Sequence, residues 1–298
     1  MNSSEKKRVL VVDDVPANCA LIQYSLEELG YNISCVGDGV QALEVLYNDS
    51  KFDVILLDRM MPVMDGLEVF EKLQAHEKLK EIPVIIQTAA ATPQQIKEVI
   101  NAGIFYYLTK PFSKEVLISI VEVAIRDANK KNELIREVSK FHSSFGSMDA
   151  CVFRFQTLKE ARNLSYLIAN ACPKPQDVIL GIYELMINAI EHGNLGITYE
   201  EKKQLMQNGS WEGEIEQRLK HDSFSNLQAT VHFEKKDDLI DITIKDEGKG
   251  FYWMDFMQIS VARAIDPNGR GIAFAKHLEG FKLEYNDIGN IVHCSISL

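Results

Sequence analysis

Long apolar runs are missing from this sequence, and so is any surplus of positive charge. No uninterrupted apolar stretch reaches the ~18 residues that a membrane-crossing helix takes, so none is predicted. Lysine and arginine number 32 against 43 aspartates and glutamates, for a formal net charge of −11. Phosphate backbones are bound by clustered cations, so nucleic acid is not expected as the main partner. A small basic site for a nucleoside triphosphate stays compatible with that balance. The five cysteines (Cys19, Cys35, Cys151, Cys172, Cys294) form no C-x-x-C pair. An odd, dispersed set suits a reducing compartment better than a disulfide framework. Met1 to Arg8 is polar and lacks the apolar centre of a signal peptide. The expectation is a cytoplasmic protein with no use for a membrane. There is no internal repeat, and no G-x-x-x-x-G-K-[ST] sequence, which argues against a P-loop NTPase.

What is present is enough chain for two ordinary domains: 298 residues, 46% hydrophobic and 25% charged, as in soluble globular proteins. From about Lys7 to Arg126, short apolar runs alternate with helix-period segments. The runs are Val9–Val12, Ile33–Val36, Val54–Leu57, Val84–Ile86 and Phe105–Leu108, with amphipathic stretches such as Asn18–Leu29 and Gln41–Tyr47 between them. This alternation predicts a doubly wound α/β domain, a parallel sheet covered by helices on both faces, over residues 1–126.

Residues 127–148 then read as a helical linker. Asp127–Lys140 is charged and free of Pro and Gly, and Leu117, Val121, Ala124, Ala128, Ile135 and Val138 recur at near-heptad spacing. An extended last helix and a homodimer seam both fit, with Lys131 on the same stripe counting against the seam. The stretch from His142 to Met148 reads as a loop. Beyond it, a strand (Cys151–Phe155), two helices (Leu158–Ala171 and Asp177–His192), several strands and one late helix predict an α+β sandwich over 149–298. Charged, partly helical residues 196–226 read as an insertion.

Three apolar runs of the first domain end in chemistry. Val9–Val12 is followed by Asp13-Asp14, Val54–Leu57 by Asp58, and Phe105–Leu108 leads to Lys110. In open parallel sheets functional groups gather at the carboxyl ends of the strands, so these acids and the ammonium are expected in one crevice. Carboxylates so close repel, which calls for a divalent cation, and magnesium suits oxygen ligands. Asp58 is then the nucleophile for phosphoryl transfer, with Lys110 neutralising the transferred oxygens and the Thr88 hydroxyl placed to bond one of them. Singly, each residue reads as a turn or cap, and Asp13-Asp14 as a helix cap; their arrival at successive strand ends is what argues for a site.

At Val11-Val12-Asp13-Asp14, Leu57-Asp58-Arg59-Met60-Met61-Pro62-Val63-Met64-Asp65-Gly66, Thr88-Ala89 and Lys110-Pro111-Phe112, the chain resembles the receiver (CheY-like) domain of two-component response regulators. The resemblance implies a flavodoxin-like fold, Asp58 as phosphoacceptor and a sensor histidine kinase as phospho-donor. It also implies magnesium held by Asp14 and Asp58 with help from Asp13 and the Met60 carbonyl, and Tyr107 as a switch aromatic.

A second set lies further on. In the helix Asp177–His192, Val178, Ile179, Ile182, Leu185, Met186, Ala189 and Ile190 form an apolar stripe, while Gly181, Glu184, Asn188 and His192 share the other side. For one helix alone, a solvated face reads the same. Two later segments add weight: Leu239–Lys245 alternates like a strand and ends in Asp246-Glu247-Gly248-Lys249-Gly250-Phe251, and Asn268-Gly269-Arg270-Gly271 precedes the apolar helix Ile272–Leu278. Paired glycines admit a close ligand, and amides at a helix start suit phosphate.

In order and spacing these segments resemble the N, G1 and G2 boxes of the GHKL ATPase superfamily, in its anti-sigma-factor, serine-kinase branch. The resemblance implies ATP as ligand, Glu184 as general base and Asn188 on the magnesium that bridges the phosphates. Asp246 would take the adenine amino group, Gly248 and Gly250 would shape the base pocket, and Gly269 and Gly271 would let a lid, Phe251–Pro267, close. Lys249 departs from the small or apolar residue usual there and reads as solvated; Arg270 either touches phosphate or faces solvent. His142, in Lys140-Phe141-His142-Ser143-Ser144-Phe145, lacks the pattern of a histidine-kinase phosphoacceptor and reads as a linker residue.

The output expected is therefore a protein serine/threonine kinase acting on a STAS-type anti-sigma antagonist, controlled by Asp58. An ATP-dependent module that sequesters a sigma-factor-like partner without catalysis is the alternative, and a domain that no longer binds ATP is a third.

Overall fold

The protein is described by a computed structural model covering residues 6–89, 98–99, 102–141, 148–256, 268–276 and 280–298. His142, residues 257–267 of the predicted lid and residues 277–278 of the last predicted helix lie outside the described residues. The chain divides into two compact units between Lys130 and Lys131, inside the predicted 127–148 linker.

In the first unit five strands, β1 (Arg8–Val12), β2 (Asn32–Val36), β3 (Val54–Asp58), β4 (Val84–Thr88) and β5 (Tyr106–Thr109), form one sheet. Its order is β2-β1-β3-β4-β5, all parallel. That is the predicted doubly wound, flavodoxin-like arrangement. The central strands are buried along their whole length because helices cover both faces. Each strand reaches one or two residues beyond its apolar run, so Asp58 and Thr88 are themselves strand residues.

The helices are α1 (Pro16–Glu27), α2 (Gly39–Asn48), α3 (Gly66–Gln74) and α4 (Lys114–Val138). Local chemistry sets their starts. Pro16 opens α1, Asp38 accepts the Gln41 amide at 2.8 Å, and Asp65 and Glu68 close a capping box on α3.

The 25-residue helix α4 begins in the first unit and ends in the second. Leu117, Val121 and Ala124 are buried, and Leu134 and Val138 join the core of the second unit. Of the predicted stripe, Leu117, Val121, Ala124 and Val138 are covered by the chain's own cores, while Ala128 and Ile135 are half-buried.

The second unit is an antiparallel sheet covered by helices. Its strands are β6 (Ala150–Phe155), β7 (Ala229–Lys235), β8 (Leu239–Lys245), β9 (Phe281–Tyr285) and β10 (Ile291–Ser297), in the order β6-β7-β8-β10-β9. Every second residue of β8 is buried, as expected for a sheet with one face on the core. Helix α5 (Leu158–Asn170) packs beside α6 (Pro175–Asn188), and the short α9 (Gly271–Lys276) lies against α6 on its own account. Ile179, Ile182, Leu185 and Met186 of α6 enter the core with Val231, Ile242 and Phe281 of the sheet.

The predicted helix Asp177–His192 is α-helical only to Asn188 and continues as a π-helical turn, Ala189–Asn194. The insertion forms two helices, α7 (Tyr199–Gln207) and α8 (Trp211–Leu219). Arg218 ties them down, reaching Glu201 on α7, Glu214 at 2.8 Å and the Leu195 carbonyl at 2.9 Å. No helix among the described residues is long and apolar enough to cross a membrane.

Candidate functional site

The strand ends of the first unit bring Asp13, Asp58 and Lys110 together. The Lys110 ammonium donates to Asp13 Oδ2 and Asp58 Oδ1, each at 2.6 Å. Asp13, 2% exposed, also accepts the Val15 amide at 2.9 Å and the Asn18 side chain at 2.9 and 3.0 Å. It is thus held in place by groups just beyond its own strand. Asp58, 7% exposed, turns its other oxygen to the Met60 amide at 3.2 Å.

Thr88 is buried one position past the ladder partner of Asp58, and its carbonyl accepts the Lys110 amide at 2.8 Å. Tyr107 is buried on the Thr88 face of the sheet. The turn after Asp58 is tight: a Cβ on Gly66 would stand 2.4 Å from the Asp58 carbonyl oxygen. In that turn Val63 adopts φ 71° and is 89% exposed, a costly conformation for a β-branched residue.

Electrostatics follow from burial. Desolvation pushes the Asp58 carboxyl up, with the nearby Asp13 charge adding to it, against the pull of the Lys110 and Met60 hydrogen bonds. Burial works to lower the Lys110 ammonium, and the bonds to Asp13 and Asp58 outweigh it, so its pKa is raised. Asp14 is exposed and Met60 offers only its backbone, its side chain facing solvent. Among the described residues no three His, Cys, Asp or Glu side chains form a group that could hold a metal ion. Asp13 and Asp58 share the Lys110 ammonium between them, and Asp14 stands exposed next to Asp13 in the chain.

In the second unit the predicted residues meet in two groups. Gly271 lies on Glu184: a Cβ there would stand 2.4 Å from Glu184 Oε2. The neighbouring Gly269 has φ 85° and packs on the Tyr199 ring, and Asn268 donates to the Tyr199 carbonyl at 3.0 Å. Arg270 is 3% exposed, which removes the solvent-facing alternative for it. In the other group, the buried Asp246 accepts the Gly248 amide at 2.9 Å. Burial pushes its carboxyl up to about 6. Gly250, at φ 77°, passes so close to the Ile288 carbonyl that no Cβ would fit. Lys249 is exposed, and Asn188 is half-buried at the end of α6.

Sequence reasoning missed the residues that join these pieces. In the π turn, a Cβ on Gly193 would stand 2.3 Å from Asp246 Cγ, and one on Gly248 would stand 2.1 Å from the Gly193 carbonyl oxygen. Asn194 Oδ1 accepts the Glu247 amide at 2.8 Å. Two glycines and one amide therefore lock the end of α6 to the Asp246 turn. Glu191, 0% exposed, is gripped by Lys202 of α7, by Trp211 Nε1 of α8 at 2.9 Å and by His192 Nε2 at 3.2 Å. Burial alone would raise its pKa, but Lys202 and His192 hold it at about 2. The available signal was the run Glu191-His192-Gly193-Asn194, which starts three residues after Asn188: Gly and Asn at a helix end mark a change of path.

The family model of the response regulator receiver domain matches residues 9–122. A probable transcriptional regulator, ycf29, of Porphyra purpurea is 36% identical over 132 residues, 44% of this chain and 62% of its own length. The chain therefore spans somewhat under two thirds of that relative. The chemotaxis protein CheY of Pseudomonas aeruginosa is 35% identical over 123 residues, 41% of this chain and 98% of CheY. Among solved structures, the receiver domain of a Pseudomonas aeruginosa sensor histidine kinase, with magnesium in its active-site cleft, is 33% identical. It aligns with 41% of this chain and 99% of that one at a TM-score of 0.38. With CheY matched over almost its whole length, and with Asp13, Asp58, Thr88 and Lys110 at the ends of the strands of a five-stranded parallel sheet, the chain belongs to the response regulator receiver family through residues 9–122.

Proposed function

We propose that the protein accepts a phosphoryl group on Asp58 from a sensor histidine kinase, and that this event regulates an ATP-binding second domain. One observation carries the first half: Lys110 Nζ stands 2.6 Å from both Asp13 and Asp58. Such an ammonium neutralises an incoming phosphoryl group beside its nucleophile. The donors at hand, the carboxylates of Asp13, Asp14 and Asp58 and the Met60 carbonyl, are oxygens only and suit magnesium. When bound, that ion would neutralise phosphoryl oxygens. The chain's own part is to present Asp58 against Lys110, to fix Asp13 through Asn18 and the Val15 amide, and to offer the Thr88 hydroxyl. Labelling with acetyl phosphate and magnesium tests this reading; label that survives Asp58→Ala refutes it.

For the second domain, the reading is a GHKL-type ATP site over 149–298, with residues 127–148 as its link to the receiver at 1–126. Supporting it are the contact of Gly271 with Glu184, the buried Asp246 beside Gly248, and the turn that joins them. Glu184 would act as base, Asn188 would hold the magnesium of magnesium–ATP, and Asp246 would accept from the adenine amino group. Its product would be a phosphorylated serine or threonine on a STAS-type antagonist in the cytoplasm. Calorimetry with magnesium–ATP, then labelled-ATP transfer to candidate partners with Glu184→Ala as control, tests both steps. A stable partner complex formed with non-hydrolysable nucleotide, and no transfer, would instead favour a sequestering module for a sigma-factor-like protein. Identical nucleotide affinity with and without beryllofluoride would refute regulation by Asp58.

A further inference from the structure

The receiver core contains an amide that nothing in the fold accounts for. Gln87 of β4 is 0% exposed, and among the described residues neither Oε1 nor Nε2 has a hydrogen-bond partner. Buried amides without partners are rare in native proteins and costly. An apolar side chain of the same size would fill the place at less cost, as Ile85 and Ile86 do beside it.

Its position indicates a use. Gln87 pairs directly with Asp58 across the parallel ladder, and with Leu108 of β5 on its other side. Partners in a parallel ladder share a face, so Gln87 lies on the face of Asp58 and of Lys110, two residues beyond Leu108. Lys110 is rooted just past β5, yet its ammonium reaches Asp58 at the end of β3 and Asp13 after β1. In the order β1-β3-β4-β5 that side chain must pass over the end of β4. That path takes the Lys110 stem across the strand that carries Gln87.

We propose that Gln87 is a positioning residue for Lys110, its Oε1 accepting from the ammonium once a phosphoryl group on Asp58 draws Lys110 away from Asp13. An ammonium carries three donors, and two are spent on the carboxylate pair in the resting protein. When Asp58 becomes an acyl phosphate, the oxygen that Lys110 held is altered, and the ammonium moves toward the new phosphoryl oxygens. That move turns its third donor, directed away from Gln87 at rest, toward β4 and the waiting amide. The amide is idle at rest and engaged in the phosphorylated state, so its burial cost is borne by the resting form alone and biases the receiver toward the phosphorylated one.

The test compares wild type with Gln87→Met, which keeps the volume and removes the polar atoms, in the full chain. Gln87→Met is expected to raise the melting temperature of the resting protein. The same change should weaken beryllofluoride–magnesium binding and shorten the phosphoryl half-life on Asp58, each by about tenfold, the worth of one hydrogen bond to a charged group. In a Lys110→Ala background, Gln87→Met should change beryllofluoride affinity no further. Equal stabilisation of the resting and beryllofluoride forms, or an undiminished effect without Lys110, would overturn the proposal and leave Gln87 a packing residue.

Discussion

Asp246 carries a burial cost that its hydrogen bonds do not offset. It is buried and accepts the Gly248 amide, and among the described residues no cation counts among the causes that set its pKa. Its carboxyl is pushed up to about 6, from 3.8. A folded-state pKa above the unfolded value means that stability is fully present below about pH 4 and is lost as pH rises through about 6. Asp246→Asn is therefore expected to stabilise the unliganded protein at pH 7 by roughly 1–2 kcal/mol, after allowance for partial solvent screening. Below pH 4 the difference should vanish in urea titrations. On the proposed reading of an ATP site, the same substitution should also abolish ATP binding, because an amide cannot present a carboxylate to the adenine amino group. A variant that was less stable at pH 7 would show that the charge is compensated by a group other than Gly248.

At the scale of elements, the insertion acts on the site through Glu191. Lys202 comes from α7, Trp211 from α8, and the carboxylate they grip belongs to the turn that carries Gly193 and Asn194. Removing one partner of a buried ion pair leaves an uncompensated charge, so Lys202→Met is expected to cost about 3–5 kcal/mol at pH 7. Glu191→Gln should cost less, since the Lys202 ammonium it leaves unpaired is 12% exposed and can reach water. The native pair contributes stability that is present above about pH 4.5 and lost as pH falls toward 2, the depressed value of Glu191. The penalty of Lys202→Met should accordingly shrink in acid, as denaturant melts at pH 7 and pH 4 would show.

The contrast with the receiver pocket explains what was legible. Asp58, Thr88 and Lys110 stood out because each closes an apolar run, and parallel strands deliver their ends to one place. Glu191 lies inside the predicted helix Asp177–His192, where nothing local marks it as buried. Gln87 fell just past the apolar run Val84–Ile86 and carried no sign of burial. The roles of Gly193 and Tyr199 depend on contacts with Asp246 and Gly269, residues 53 and 70 positions away in the chain, which no local pattern reports.

Over the whole molecule, both sheets follow from periodicity: continuous apolar runs for the parallel one, alternation for the antiparallel one. The junction does not follow, because a near-heptad stripe reads alike whether it meets another chain or its own core. In the structure Leu134 and Val138 are 2% and 1% exposed within the second core. A fragment of residues 131–298 is thus expected to melt cooperatively. One of residues 149–298 should lose stability by about 2–4 kcal/mol, on the scale of deleting one or two core side chains. Circular dichroism melts of the two fragments decide it; equal stability would mean that α4 adds nothing to that core.

The continuity of α4 also constrains ancestry. Gene fusion that cut a receiver cleanly at its last helical turn would have handed the downstream module a hole where Leu134 and Val138 belong. A junction upstream of Lys131 keeps both side chains with the core they fill, so this last stretch of the helix belongs to the second unit as much as its strands do.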